Sequence, residues 1–167
     1  MEIIPGGPGV RVESETAIGR VDFGIANADK ILTVRDKGME IVALMSPFEK
    51  SPRCLLVHAD SSMHDFQSLE NAEVLILNNT KPYYFWLTNQ FPQLKNVDTI
   101  PYNKATFMNN KNAVMQAYIN SEPLILKERG IETKILKLFD TGFNPYTSVL
   151  ICRHELISTQ PQLVEKM

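Results

Sequence analysis

The stretch Asp22-Phe-Gly-Ile-Ala-Asn-Ala-Asp-Lys-Ile-Leu-Thr-Val-Arg-Asp-Lys-Gly-Met-Glu-Ile-Val-Ala-Leu-Met-Ser46 carries the pattern from which the fold is read. Asp22–Ile25 reads as a short strand, Ala28–Lys37 as a helix stopped by Gly38, and Glu40–Ser46 as a second strand. Strand, helix and strand in succession make a right-handed βαβ unit. The same alternation continues outward in both directions. Further strands are expected at Glu2–Ile4, Arg53–His58, Glu73–Leu77, Val97–Pro101, Ala113–Ile119, Lys134–Phe139 and Tyr146–Cys152. Helices are expected at Gly9–Gly19, Asp65–Leu69, Pro82–Phe91, Ala105–Asn110, Glu122–Arg129, His154–Ser158 and Gln162–Lys166. Several strands are unbroken apolar runs, the form taken by strands covered on both faces. The expectation is therefore an α/β protein built on open, mostly parallel sheets.

The 167 residues, 44% of them hydrophobic and 22% charged, are ordinary for a globular chain and exclude disorder or a collagen-like repeat. Basic residues number 17 and acidic residues 19, without a dense basic run, which excludes a binder that works by neutralising nucleic-acid phosphates. No apolar run is long enough to cross a bilayer. The opening Met-Glu-Ile-Ile-Pro lacks the basic-then-apolar order of a secretory signal, and the chain reads as starting in mid-strand. Cys54 and Cys152 can form one bond at most, so stability has to come from burial.

In open parallel sheets, ligands sit beyond the carboxyl ends of strands, where loops enter helices. Pro5-Gly-Gly-Pro-Gly9 is such a loop: its glycines either let backbone N–H groups approach an anion or merely form a sharp connection. Asn78-Asn-Thr-Lys-Pro-Tyr-Tyr84 repeats the arrangement, with Asn79 or Thr80 as helix cap and Pro82 in the first turn. Lys81 opposes the helix dipole, so its ammonium either swings into solvent or faces an anionic ligand group. Of the aromatic run Tyr83 to Trp86, Phe85 and Trp86 are expected on the neighbouring sheet, leaving the tyrosines to face a cleft. Asn120-Ser-Glu-Pro123 puts Glu122 in a helix's first turn, with Ser121 as cap. There the carboxylate either favours the dipole or accepts from a ligand amine.

Metal and catalytic readings fail on spacing. Cys54 and His58 lie four apart on a strand, about 13 Å; Cys152 and His154 share a strand face but are only two ligands. No Gly-x-Ser-x-Gly elbow and no placed carboxylate pair occurs. No catalytic residue, metal site or cofactor is expected.

Asp22-Phe-Gly-Ile-Ala-Asn27, Ile41-Val-Ala-Leu-Met-Ser-Pro-Phe-Glu-Lys-Ser-Pro-Arg-Cys54 and Gly142-Phe-Asn-Pro-Tyr-Thr-Ser-Val149 are similar to one known family. Gly-Gly-Pro-Gly and Ser-Glu-Pro add to them in the family's order. From Glu2 to Lys166 the chain resembles the solute-binding proteins of ABC importers, in the NMT1/THI5-like group that takes thiamine-pyrimidine precursors, sulfonates or nitrate. The resemblance implies a type II periplasmic-binding fold. Two lobes, 1–56 with 149–167 and 57–148, would be joined by hinge strands at Arg53–Ala59 and Tyr146–Cys152. A small-molecule ligand would lie between them, and the closed form would dock on a permease and ATPase outside the cytoplasm. Carried onto this chain, the family's site implies Gly7, Asn27, Asp29 and Phe48 on the first lobe. Asn79, Thr80, Tyr84 and Glu122 would lie on the second, with Tyr146 near the hinge.

Two departures stand out. Members have small residues where this chain has Thr80-Lys81. They also carry a signal peptide, a first β–α unit and closing helices, so lobe one is expected to be incomplete, with exposed sheet edge and apolar surface. Such a chain is expected to be marginal alone, to dimerise through that surface, or to bind weakly. Alternatives are a cytosolic ligand sensor, which lacks its helix-turn-helix here; a pyrimidine synthase, which lacks its histidine and cysteine cluster; and a remnant without function of its own. Aromatic rings with Asn and Glu suit an amino-pyrimidine, whereas Lys81 and open helix starts suit a sulfonate, phosphate or carboxylate.

Overall fold

The structure is a computed structural model and describes residues 2–6 and 10–167. The chain divides into two compact units, residues 1–50 with 145–167 and residues 51–144. Among the described residues no helix is long and apolar enough to cross a membrane.

Unit 1 holds α1 (Val12–Ala17), β1 (Phe23–Ala26), α2 (Ala28–Asp36), β2 (Ile41–Met45), β8 (Val149–Arg153), α6 (His154–Thr159) and α7 (Pro161–Glu165). Its sheet has the order β1-β8-β2, with β8 antiparallel to both neighbours. The strands of the expected βαβ unit therefore run the same way, but β8 is inserted between them. Ala26, Ile41, Val149 and Ile151 form one buried cluster with Ile31 and Val34 of α2. Helix α1 lies so close to β1 that a Cβ on Gly24 would stand 2.6 Å from Thr16 Oγ1 and from Val12 Cγ1. Only glycine permits that approach.

Unit 2 holds β3 (Arg53–His58), β4 (Val74–Ile76), α3 (Pro82–Gln90), β5 (Thr99–Ile100), α4 (Lys104–Asn109), β6 (Ala113–Tyr118), α5 (Glu122–Glu128) and β7 (Thr133–Lys137). The sheet order is β5-β4-β6-β3-β7. β4 is parallel to β5 and β6, while β3 is antiparallel to β6 and β7. Here too a βαβ unit, β6-α5-β7, has an antiparallel strand between its two strands. Alternation along β3 divides the core. Leu55 and Val57 join Tyr83 and Leu87 of α3 on one face, and Cys54 and Leu56 join Phe107 of α4 and Leu126 of α5 on the other. All six residues of β3 are buried, as a strand covered on both faces requires.

Pairing is thus parallel only along β5-β4-β6. The exceptions are the two strands expected as hinges, β3 and β8, which no βαβ crossover delivers and which are free to run the other way. Glu2–Ile4, expected as a strand, is not one. Ile3 and Ile4 are 76% and 65% exposed, and no neighbouring strand pairs with them. The predicted stop holds: α2 is followed by Gly38 at φ +85°, and α5 ends the same way before Gly130 at φ +75°. Cys54 and Cys152 are both buried and free.

Candidate functional site

Because β4, β5 and β6 are parallel, their carboxyl ends reach one edge of the unit 2 sheet. β3 runs against β6, with Arg53 paired to Tyr118, so its first residue is at that edge too. The edge collects Asn78, Asn79 and Thr80 after β4, Tyr102 after β5, Glu122 after β6, and Arg53.

Their contacts form a chain. The backbone N–H of Asn78 donates to Tyr83 Oη at 3.1 Å. The Arg53 guanidinium carbon lies 5.1 Å from the Tyr83 ring centre and 6.0 Å from that of Tyr118. The Tyr118 N–H donates to Glu122 Oε2 at 2.9 Å, and Tyr102 Oη donates to Glu122 Oε1 at 3.5 Å. Arg53 is 5% exposed and Tyr83 3%. A guanidinium held between two aromatic faces keeps its charge while its plane is packed, a role an ammonium fills poorly.

Burial pushes the Tyr83 phenol up, against the opposing pull of the Asn78 hydrogen bond and the Arg53 charge. Burial, followed by the charge and hydrogen bond of Glu122, raises Tyr102. The Cys54 thiol is pushed up to about 12, mainly by burial and further by the Glu122 charge. A thiol held protonated to that point is no nucleophile near neutrality.

The expected capping is replaced by other bonds. Lys81 occupies the N-cap position of α3, and no side chain caps it. Asn78 Oδ1 instead accepts from the Thr80 N–H at 2.9 Å and from Thr80 Oγ1 at 2.7 Å, forming a local turn. Asn79 Nδ2 donates to Thr99 Oγ1 at 2.8 Å, tying the β4 and β5 ends together. Ser121 makes no side-chain cap on α5. Helix α3 also turns the other way from expectation: Tyr83 and Leu87 are buried, one turn apart, while Phe85 is 56% and Trp86 38% exposed. With Pro82 as first helical residue, positions 83 and 87 share the face toward the sheet. Tyr84 is half-buried against that core and lies edge-on to Phe85.

In unit 1, Phe48 and Tyr146 line an open pocket of about 520 Å³ with Ala28, Ala43, Leu44, Met45, Ser46, Pro47, Glu49 and Val149. The Ala28 N–H, first in α2, donates to the Tyr146 carbonyl at 2.9 Å. Asn27 is the N-cap of that helix, and Asp29 Oδ1 accepts from the Lys30 N–H at 2.9 Å. Asn27, Asp29, Phe48 and Tyr146 thus gather at the start of α2 and the neighbouring pocket. Asn79, Thr80 and Glu122 gather at the unit 2 edge. Gly7 lies outside the described residues. Arg53, Tyr102 and Tyr118 were not anticipated, and Tyr83, expected to face a cleft, is instead buried. The available signal was an arginine standing directly before the buried run Cys54-Leu-Leu-Val57, where a charge is costly unless it is held. Among the described residues no group of three His, Cys, Asp or Glu is placed to hold a metal.

Comparison with known proteins gives a family and a fold. A family model described as NMT1/THI5 like matches residues 1–167. No curated protein matches at a significant level. Among solved structures, the chain is similar to the periplasmic aliphatic sulphonate binding protein SsuA from Escherichia coli. The TM-score is 0.69 at 12% identity, over 92% of this chain and 51% of that one. It is similar to a putative periplasmic sulfonate-binding protein from Methylobacillus flagellatus KT, with TM-score 0.64, 17% identity, and 93% and 49% covered. It is also similar to lactococcal OpuAC complexed with glycine betaine, with TM-score 0.65, 12% identity, and 90% and 65% covered. The chain spans about half the length of the two sulfonate-binding structures.

Proposed function

The chain belongs to the NMT1/THI5-like family, and on that premise we propose that it captures a small solute for an ABC importer outside the cytoplasm, with permease and ATPase as partners. Units 1 and 2 are then the two lobes, and the reading involves no catalysis. The observation that carries it is the convergence of Arg53, Tyr83, Tyr118 and Glu122 at the carboxyl ends of the parallel strands β4, β5 and β6 of a mixed sheet. Such edges are where open α/β sheets take ligands. Asn79, Thr80 and Tyr84 supply the rim of that edge; Asn27, Asp29, Phe48 and Tyr146 supply the unit 1 face, and Gly7 joins the reading through the family resemblance alone.

The named relatives take a sulphonate and glycine betaine, both with an acidic group. The Arg53 guanidinium, and Lys81 at the N-cap of α3, support an anionic group at the unit 2 edge. A thermal-shift screen across sulfonates, carboxylates, nitrate, pyrimidines and flavins tests the reading, since a ligand of the native state raises its melting temperature. At least one solute should raise it, and Arg53→Met should abolish the rise. A screen without any shift, or a shift indifferent to Arg53, overturns the reading.

A further inference from the structure

We infer that Tyr102 is a specificity-determining residue of the unit 2 edge: its hydroxyl covers Oε1 of Glu122 and yields it to a cationic N–H donor, an ammonium or amidinium, on the solute. The inference rests on the solute-capture reading and adds a second group to the acidic one proposed above. Glu122 is fixed at one oxygen and loosely met at the other. Oε2 accepts the Tyr118 N–H at 2.9 Å, so the carboxylate cannot turn away from β6 without losing a backbone bond. Oε1 has Tyr102 Oη at 3.5 Å, beyond the roughly 2.5–3.0 Å of a firm O–H···O bond. Glu122 is half-buried, and among the described residues no lysine, arginine or histidine pairs with it. Its charge is therefore left standing: after burial, it is the next cause that raises both the Cys54 thiol and the Tyr102 phenol. A neutral phenol at that distance satisfies an ionised acceptor poorly, whereas an N–H cation adds its own charge to the bond.

Tyr102 is placed to yield. It is 54% exposed, and among the described residues its hydroxyl has Glu122 as its one partner. The backbone on either side is held. Ile100 pairs with Ile76 of β4, and Asn103 Oδ1 accepts the Thr106 N–H at 3.1 Å to cap α4. The phenol can therefore swing off Oε1 by rotation of its own side chain, with neither β5 nor α4 disturbed.

Acetamidinium, acetamide and acetate share one planar shape and are cationic, neutral and anionic. They are titrated into the whole protein, isotope-labelled at tyrosine Cζ, and followed by NMR, with Tyr102→Phe assigning the Tyr102 signal. Acetamidinium should move that signal to saturation, acetamide should do so more weakly, and acetate should leave it in place. Tyr102→Phe removes the competing hydroxyl, so acetamidinium, now followed at the Tyr118 and Glu122 amides, should bind about two- to threefold more tightly. Glu122→Gln keeps an acceptor for the Tyr118 N–H and should weaken acetamidinium about tenfold. Unchanged or looser binding in Tyr102→Phe, indifference to Glu122→Gln, acetate moving the Tyr102 signal as tightly as acetamidinium, or no movement at all overturns the inference. A solute found by thermal shift while the probes fail removes only this inference. Probes that behave as expected beside a fruitless solute screen remove the import reading instead.

Discussion

The Tyr83 hydroxyl accepts the Asn78 N–H while its ring lies 5.1 Å from the Arg53 guanidinium carbon, so one side chain holds both the loop after β4 and the charge at the start of β3. Tyr83→Phe keeps the ring and loses the acceptor. It should cost about 0.5–1.5 kcal/mol in urea unfolding, the worth of one net hydrogen bond. Tyr83→Ala loses ring and core volume together and should cost about 3–5 kcal/mol. Equal losses would show that the ring contributes nothing.

Glu122 can be split in the same way. Its Oε2 accepts the Tyr118 N–H across the β6–α5 turn, and glutamine keeps an acceptor there. Glu122→Gln should stay within about 0.5 kcal/mol of the parent, whereas Glu122→Ala should lose about 1–2 kcal/mol. A spectrophotometric phenol titration of Glu122→Gln should also bring Tyr102 down, because a negative neighbour helps to raise it.

Alkaline stability follows from Cys54. In the unfolded chain the thiol ionises near 9, and in the folded protein only at about 12. Between those values the native state holds the proton that the unfolded state has lost, so stability falls as pH rises. The slope is on the order of 1 kcal/mol per pH unit and is absent below pH 9. Urea midpoints measured from pH 8 to 11 should show this decline, and Cys54→Ala should flatten it. A decline equally steep in the variant would assign it elsewhere, with the raised Tyr83 phenol next in line.

Gly24→Ala should destabilise unit 1, because its methyl would meet Thr16 Oγ1 and Val12 Cγ1 at 2.6 Å. A loss of about 1–3 kcal/mol is expected for such overpacking. Val12→Ala in the same chain should recover part of it. Circular dichroism melts of the single and double variants measure the recovery.

The βαβ rhythm of residues 22–46 was legible because apolar runs, Gly38 and a helical period all agree there. The direction of β3 and β8 was not, since periodicity records which residues are buried and says nothing of which neighbour a strand meets. Glu2–Ile4 reads as a strand from composition, yet a strand exists only where another edge accepts its hydrogen bonds. Loop chemistry placed Asn79, Thr80 and Glu122 just beyond strand ends, where the structure has them, because turn residues announce strand ends. Arg53 was hidden inside a strand, and Tyr83 inside an aromatic run whose facing depends on where α3 begins. Two residues of phase, about 200° around the helix, exchanged Tyr83 for Phe85 as the buried ring.

The central strand of unit 1 arrives late. β2 ends at Met45 and β8 begins at Val149, so during synthesis β1 and β2 are made long before the strand that both must join. Unit 2, continuous from Ser51 to Asn144, has all its strands before that point. A ribosome therefore releases β3 to β7 while β1 and β2 still wait for their partner, and it is this waiting pair that a chaperone would need to shield.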